Sequence, residues 1–229
     1  MARGGSLSDE GPRQERWALL ALLPMVLTVG FSVLSFSSGA SIVVTLIPQL
    51  SAYVCLAVWI RASDHWAERL FLTPVHFLKN AGFGFLTGLF TGGLNLWIIL
   101  QVAPGFGYAY DFLRETPHAR APFFIMMPWV ILAIAVFVEL NFRGFLLGRL
   151  LVLFAGRPCG RTLAVTLSAL VFSFDPFMIS VFRGFHWLAL TDGLIWGVLL
   201  LRTRSLYSVI SAHAVEVMIV YTVLKIFYE

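Results

Sequence analysis

Six ionisable side chains lie inside stretches of sequence otherwise fit only for hydrocarbon: Glu139, Arg143, Asp175, Asp192, His213 and Glu216. Charged groups within apolar spans are costly, so each marks a functional site by default. Glu139 and Arg143 are four residues apart and share a helix face, and an arginine in hydrocarbon needs such a partner. Two roles suit the pair. One is a buried salt bridge that positions two helices. In the other, Arg143 holds a carboxylate oriented as a general base for water. His213, beside Ser211, Ala212 and Ala214, is either hydrogen-bonded to another helix or serves as a base, an oxyanion partner or a metal ligand. Glu216 follows three residues later on roughly the same face.

Depth below the membrane surface can be counted at about 1.5 Å per helical residue. From Arg149, Glu139 is ~15 Å deep; from Arg202, Asp192 is also ~15 Å. From Arg204, His213 is ~13 Å deep and Glu216 ~18 Å, whereas Asp175, counted from Arg161, reaches ~21 Å. Residues far apart in the chain thus converge on one layer. Asp175 and Asp192 could recreate a two-carboxylate protease site, but their depths differ by about one helical turn. No His-Glu-x-x-His or Gly-x-Ser-x-Gly is present, and no serine is paired with a plausible base nearby in sequence. One Glu and one His are thin support for zinc, so a metal-free carboxylate mechanism without a cofactor is favoured and Zn is the alternative.

The elements that must position these groups follow from composition. The chain has 229 residues, 59% hydrophobic and 12% charged, with mean hydropathy +0.86. That departs from a soluble domain, at about 25% charged, and argues against a disordered chain or a nucleic-acid module. Continuous apolar runs of about 20 residues favour helices over a barrel. The expected fold is all-α, a polytopic transmembrane bundle of about seven spans. These lie near 17–36, 40–60, 78–100, 122–148, 162–181, 186–201 and 205–228. The first 16 residues are polar and expected to be disordered at the cytoplasmic N-terminus. Residues 17–121 form an N-terminal set of helices and connectors, and 122–229 form the core that holds the site. The connectors 61–77 and 101–121 could each hide a re-entrant helix. Gly84, Gly88 and Gly92, with Ala81, form a small-residue stripe suited to close helix packing.

With the N-terminus inside, eleven of the sixteen Lys and Arg fall in inside segments and four outside, with Arg143 left in the membrane. That asymmetry gives seven spans, N-terminus in and C-terminus out. The net charge of +4 is thereby a topology signal and calls for no nucleic acid. Cys55 and Cys159 form no disulfide framework and read as one core thiol and one loop thiol, with lipidation of Cys159 a lesser alternative.

The segment Val138-Glu139-Leu140-Asn141-Phe142-Arg143-Gly144-Phe145-Leu146-Leu147 resembles the first motif of the CAAX prenyl protease and bacteriocin-processing membrane protease family. That motif is a Glu-Glu pair, three residues, then Arg, commonly followed by Gly-Phe-Leu. Arg202-Thr203-Arg204-Ser205-Leu206, running on to His213-Ala214, is similar to the family's last motif. Ser168–Phe174 resembles the helix that carries Phe-x-x-x-His in the family. Together these cover about residues 122–225. Val138 stands where the family has its first Glu, Pro176 where it has His, and Val217 where it has Asn. Glu139, Arg143 and His213 carry over by position and Asp175 and Glu216 are neighbours of missing groups, so the resemblance implies Glu139, Arg143, His213, Glu216 and Asp175 as the candidate catalytic residues. The resemblance implies a CAAX protease-like core in the C-terminal half of a multi-pass protein of the bacterial inner membrane. It also implies an endopeptidase acting on a membrane-embedded, membrane-associated or lipid-modified peptide or protein. The alternatives are a non-cleaving scaffold or chaperone, and a small-solute or proton-coupled transporter. The oligomeric state is not legible.

Overall fold

The computed structural model describes residues 17–33, 44, 46–107, 121–176, 178–179 and 186–228. The expected N-terminal tail, the turn joining the first two spans, most of the 101–121 connector and the end of the expected fifth span lie outside them. Among the described residues every regular element is a helix, seven of them main helices. These are α1 (Leu22–Val33), α2 (Ile47–Ala62), α3 (Phe77–Trp97), α4 (Phe123–Leu153), α5 (Gly160–Ser173), α6 (His186–Thr203) and α7 (Leu206–Tyr228). All seven fall on expected spans, and the fold is a helical membrane bundle. Three stretches, Phe77–Phe106, Phe123–Leu153 and Leu206–Ile226, are long and apolar enough to cross a bilayer unaided. The other four main helices are shorter, at 12, 16, 14 and 18 residues.

α3 and α7 pack along the glycine stripe. A Cβ at Gly84 would overlap the Ser208 carbonyl, and one at Gly88 would sit 2.5 Å from the Ala212 carbonyl oxygen. Only glycine lets the two backbones approach this closely. A second small-residue contact joins α5 to α6. There a Cβ at Gly193 would meet Ala169 at 2.9 Å, and one at Gly197 would meet Val165 at 2.7 Å. α4 runs through the centre of this frame. From Asn141 to Val152 every one of its residues is buried, so it is enclosed on all sides.

Two local features depart from the sequence expectation. α4 continues to Leu153, and Arg149 is 1% exposed, with its guanidinium carbon 4.4 Å from the Trp59 ring centroid. Arg149 therefore belongs to the helix interior and not to an inner loop. The expected fifth span is also interrupted, with helical geometry resuming at Pro176. α5 ends at Ser173, and Pro176 explains it, since proline disfavours helical geometry in the residue before it and cannot donate to the helix ladder.

The 61–77 connector holds no re-entrant span, only a one-turn helix, Trp66–Arg69. Its Leu70 and Phe71 are buried, while His65 and His76 are exposed, as a solvated connector requires. The Phe71 carbonyl accepts the Leu206 backbone N–H at 2.9 Å, anchoring the start of α7. Thr203 and Ser208 hydroxyls, 2.7 Å apart, close the turn between α6 and α7, so the register of His213 is fixed from its N-terminal end.

Candidate functional site

Glu139 closes the regular α-helical part of α4, and Leu140–Leu147 continue it as a wider π-helical stretch containing Arg143. Such stretches cluster at functional sites because they re-aim side chains and strand backbone carbonyls. Here the Phe142 carbonyl accepts the Ser168 hydroxyl of α5 at 2.9 Å. Glu139 and Arg143 still meet, with Arg143 Nε 3.3 Å from Glu139 Oε2 and Nη1 3.4 Å from Oε1. Both distances exceed the ~2.7–2.9 Å of a strong charge-assisted hydrogen bond. The Oε2 contact is an ion pair without hydrogen-bond alignment, so Oε2 has no hydrogen-bond partner, and neither has Arg143 Nη2.

His213 completes the group from α7. Its Nδ1 is 2.8 Å from Glu139 Oε1, close enough for the ring N–H to donate to the carboxylate. Trp196 of α6 stacks on the imidazole with ring centroids 4.5 Å apart and planes 21° apart. The Arg143 guanidinium carbon is 4.3 Å from the Phe172 ring centroid and 5.0 Å from that of Trp196. The charged groups are thus walled by aromatic faces. Glu139 has no exposed surface, Arg143 1% and His213 7%. An acid of the fourth helix and an imidazole of the seventh meet directly, with no gap for a water between Nδ1 and Oε1.

A second polar group adjoins the first. Asn95 of α3 donates from Nδ2 towards both oxygens of Asp192 on α6, at 3.2 and 3.1 Å, and to Glu216 Oε1 on α7 at 2.9 Å. Arg143 interacts electrostatically with Glu139, Asp192 and Glu216, which makes it the common cation of the two groups. Glu216 Oε2 and the Trp196 indole nitrogen, both buried, have no hydrogen-bond partner.

The structure thus brings Glu139, Arg143 and His213 into contact and sets Glu216 beside them. It places Asp175 elsewhere. Gln49 of α2 donates to Asp175 Oδ1 at 3.0 Å, in a small cleft lined also by Thr28, Pro48 and Asn141. Asp175 follows the break at the end of α5, so it does not stay on a helix face pointing at Glu139. The two-aspartate arrangement of Asp175 with Asp192 also fails, since Asp192 bonds to Asn95 and Asp175 to Gln49. Among the described residues, no three His, Cys, Asp or Glu side chains gather to hold a metal ion.

Sequence reasoning missed Asn95 and Trp196. Asn95 was visible as an amide inside an apolar run, three residues after Gly92 and on the face of the glycine stripe. Trp196 carried no signal, because tryptophan in a membrane helix is ordinary.

Residues 120–219 match a family model described as Type II CAAX prenyl endopeptidase Rce1-like. That stretch carries Glu139, Arg143, Asp192, His213 and Glu216; Asn95 lies outside it. No curated protein and no solved structure gives a match.

Proposed function

We propose that this chain, whose residues 120–219 match the model of the Rce1-like type II CAAX prenyl endopeptidases, is an intramembrane endopeptidase in which Glu139 activates water. The observation that carries the proposal is the contact between Glu139 and His213, 2.8 Å long and sealed behind Trp196 and Phe172. With Oε1 engaged by His213, the reactive oxygen is Oε2, which is buried and has no hydrogen-bond partner. Water held there gives a proton to Glu139 as its oxygen bonds to the peptide carbonyl carbon. Arg143 Nη2, also unpartnered, is the donor available to the oxyanion that forms. His213 fixes the carboxylate, and its stacking on Trp196 fixes His213.

The substrate we infer is a peptide chain delivered through the membrane, because the groups are enclosed by helices and by aromatic side chains. The proposed orientation places the N-terminus and the α6–α7 turn in the cytoplasm, in a bacterial inner membrane. A second reading has one observation in its favour: Val138 and Val217 occupy positions polar in the family, which suits a scaffold that binds membrane segments without cutting them.

The test is cleavage of a quenched fluorescent peptide bearing a farnesylated cysteine by the purified protein in detergent. Glu139→Gln and His213→Ala lower turnover by about 100-fold or more, the typical size of a general-base contribution. Asp175→Asn leaves turnover within a few-fold. Full activity in both of the first two variants refutes the proposed chemistry, and an inert wild-type protein favours the scaffold.

A further inference from the structure

Glu139, Asp192 and Glu216 are three buried acids served by one buried guanidinium, that of Arg143. Glu139 has Arg143 and His213 as direct partners. Asp192 and Glu216 have no such partner. Both turn to one neutral amide, and three of their oxygens lie within 3.2 Å of Asn95 Nδ2, which carries only two hydrogens. Two full negative charges converging on one amide in a dry interior do not persist; one of them takes up a cation or a proton.

Two further observations point to what is held there. Glu216 Oε2 has no hydrogen-bond partner although the residue is 95% buried, so a full negative charge on that carboxyl would go unsolvated and a proton removes the cost. Arg143 Nη2 is likewise unpartnered, and it lies against Gly193, where a Cβ would be 3.2 Å away, in the residue next to Asp192. A guanidinium in that position opposes a second cation and tolerates a proton. The other titratable groups acting on the pair are Glu139 and Arg143 from α4, while α3 contributes the uncharged Asn95 and Thr91.

We propose that Asp192 and Glu216 share one proton, and that this pair is the second acid of the site, matched to Glu139 as the base. The assignment rests on the hydrolytic reading for its role but not for its existence. In hydrolysis, water loses a proton to Glu139 Oε2 as its oxygen bonds to the carbonyl carbon. The shared proton passes to the peptide nitrogen as the carbon–nitrogen bond breaks. The proton on Glu139 then refills the pair. One water is consumed, one acid and one amine are released, and the site returns to its starting charge. The return path is short, because His213 is bonded to Glu139 and lies one turn from Glu216 on α7.

The experiment uses N,N′-dicyclohexylcarbodiimide, an apolar reagent that adds to protonated carboxyls within membranes. The full chain in lipid vesicles is treated near neutral pH, digested, and read by mass spectrometry. Adducts at Asp192 or Glu216, exceeding that at Glu139 by about tenfold or more, are expected, since tenfold corresponds to one pH unit of proton affinity. In Glu216→Gln, Asp192 has Asn95 and Arg143 to itself and ionises, so its labelling falls about tenfold. Asp192→Asn lowers labelling of Glu216 in the same way and serves if the first variant does not fold. Absence of adducts at both positions overturns the proposal. So does labelling of the remaining acid that is unchanged in either variant, or labelling suppressed by sodium chloride but not by choline chloride, which marks a metal cation. Labelling as expected in a protein that cleaves no peptide leaves the proton pair standing and removes the hydrolase.

Discussion

Replacing Glu139 by glutamine leaves Arg143 buried with its nearest anion gone and an amide N–H₂ facing its guanidinium. Removing one partner of a buried ion pair costs about 3–5 kcal/mol, most of it the penalty of the stranded charge. The contacts here are 3.3 and 3.4 Å, longer than strong charge-assisted bonds, and Asp192 and Glu216 still act on Arg143. The low end, about 3 kcal/mol, is therefore expected. Arg143→Met costs a similar amount, because it leaves Glu139 with His213 alone. The double variant Glu139→Gln, Arg143→Met removes both charges of the ion pair and keeps comparable volume, and the Asp192–Glu216 pair, which loses the same cation, takes up a second proton. Its loss is about 3 kcal/mol and not the additive sum of about 6, a coupling of about 3 kcal/mol. The assay is reversible unfolding in mixed micelles, followed by the fluorescence of Trp196 and its neighbours. Additivity to within about 0.5 kcal/mol would show that the two side chains do not depend on one another, and the ion pair would cease to organise the site.

Other outcomes follow from the same geometry. Gly88→Val forces α3 away from α7, because a Cβ already meets the Ala212 carbonyl at 2.5 Å; it lowers stability by about 3 kcal/mol or more in micelle unfolding. Gly93→Ala, with nothing within 4 Å of its Cβ, is neutral or slightly stabilising in the same measurement. A membrane-impermeant maleimide labels the exposed Cys159 and not the buried Cys55. If the proposed orientation holds, the label reaches Cys159 in inverted membrane vesicles and not in right-side-out ones.

A sequence states depth along a membrane normal well and says little about direction around a helix axis. Each residue advances about 1.5 Å, so the common layer of Asp192, His213 and Glu216 was legible by counting, whereas the count for Glu139 began at Arg149, which α4 carries inside. The pairing of Glu139 with Arg143 was legible too, because residues four apart share a face however the helix is turned. The π-helical stretch that follows Glu139 was not legible, and it did not undo the pairing. The glycine stripe announced close packing, and the structure supplied its partner, α7.

Asp175 marks where counting failed. Its depth assumed that α5 ran on unbroken, but Pro176 ends the regular helix just before it, and Asp175 turns to Gln49. Arg149 failed for the converse reason: it sits beside apolar sequence that simply continues, so α4 carries it inside, onto Trp59. The sequence by itself determined a helical membrane bundle and which ionisable groups share a layer, because apolar length and helical rise are properties of one segment at a time. Only the tertiary structure decided that His213 meets Glu139, that Asn95 bridges Asp192 and Glu216, and that Asp175 stands apart. Those facts depend on how helices are rotated and brought together, which is set by interlocking small and large side chains between segments distant in the chain.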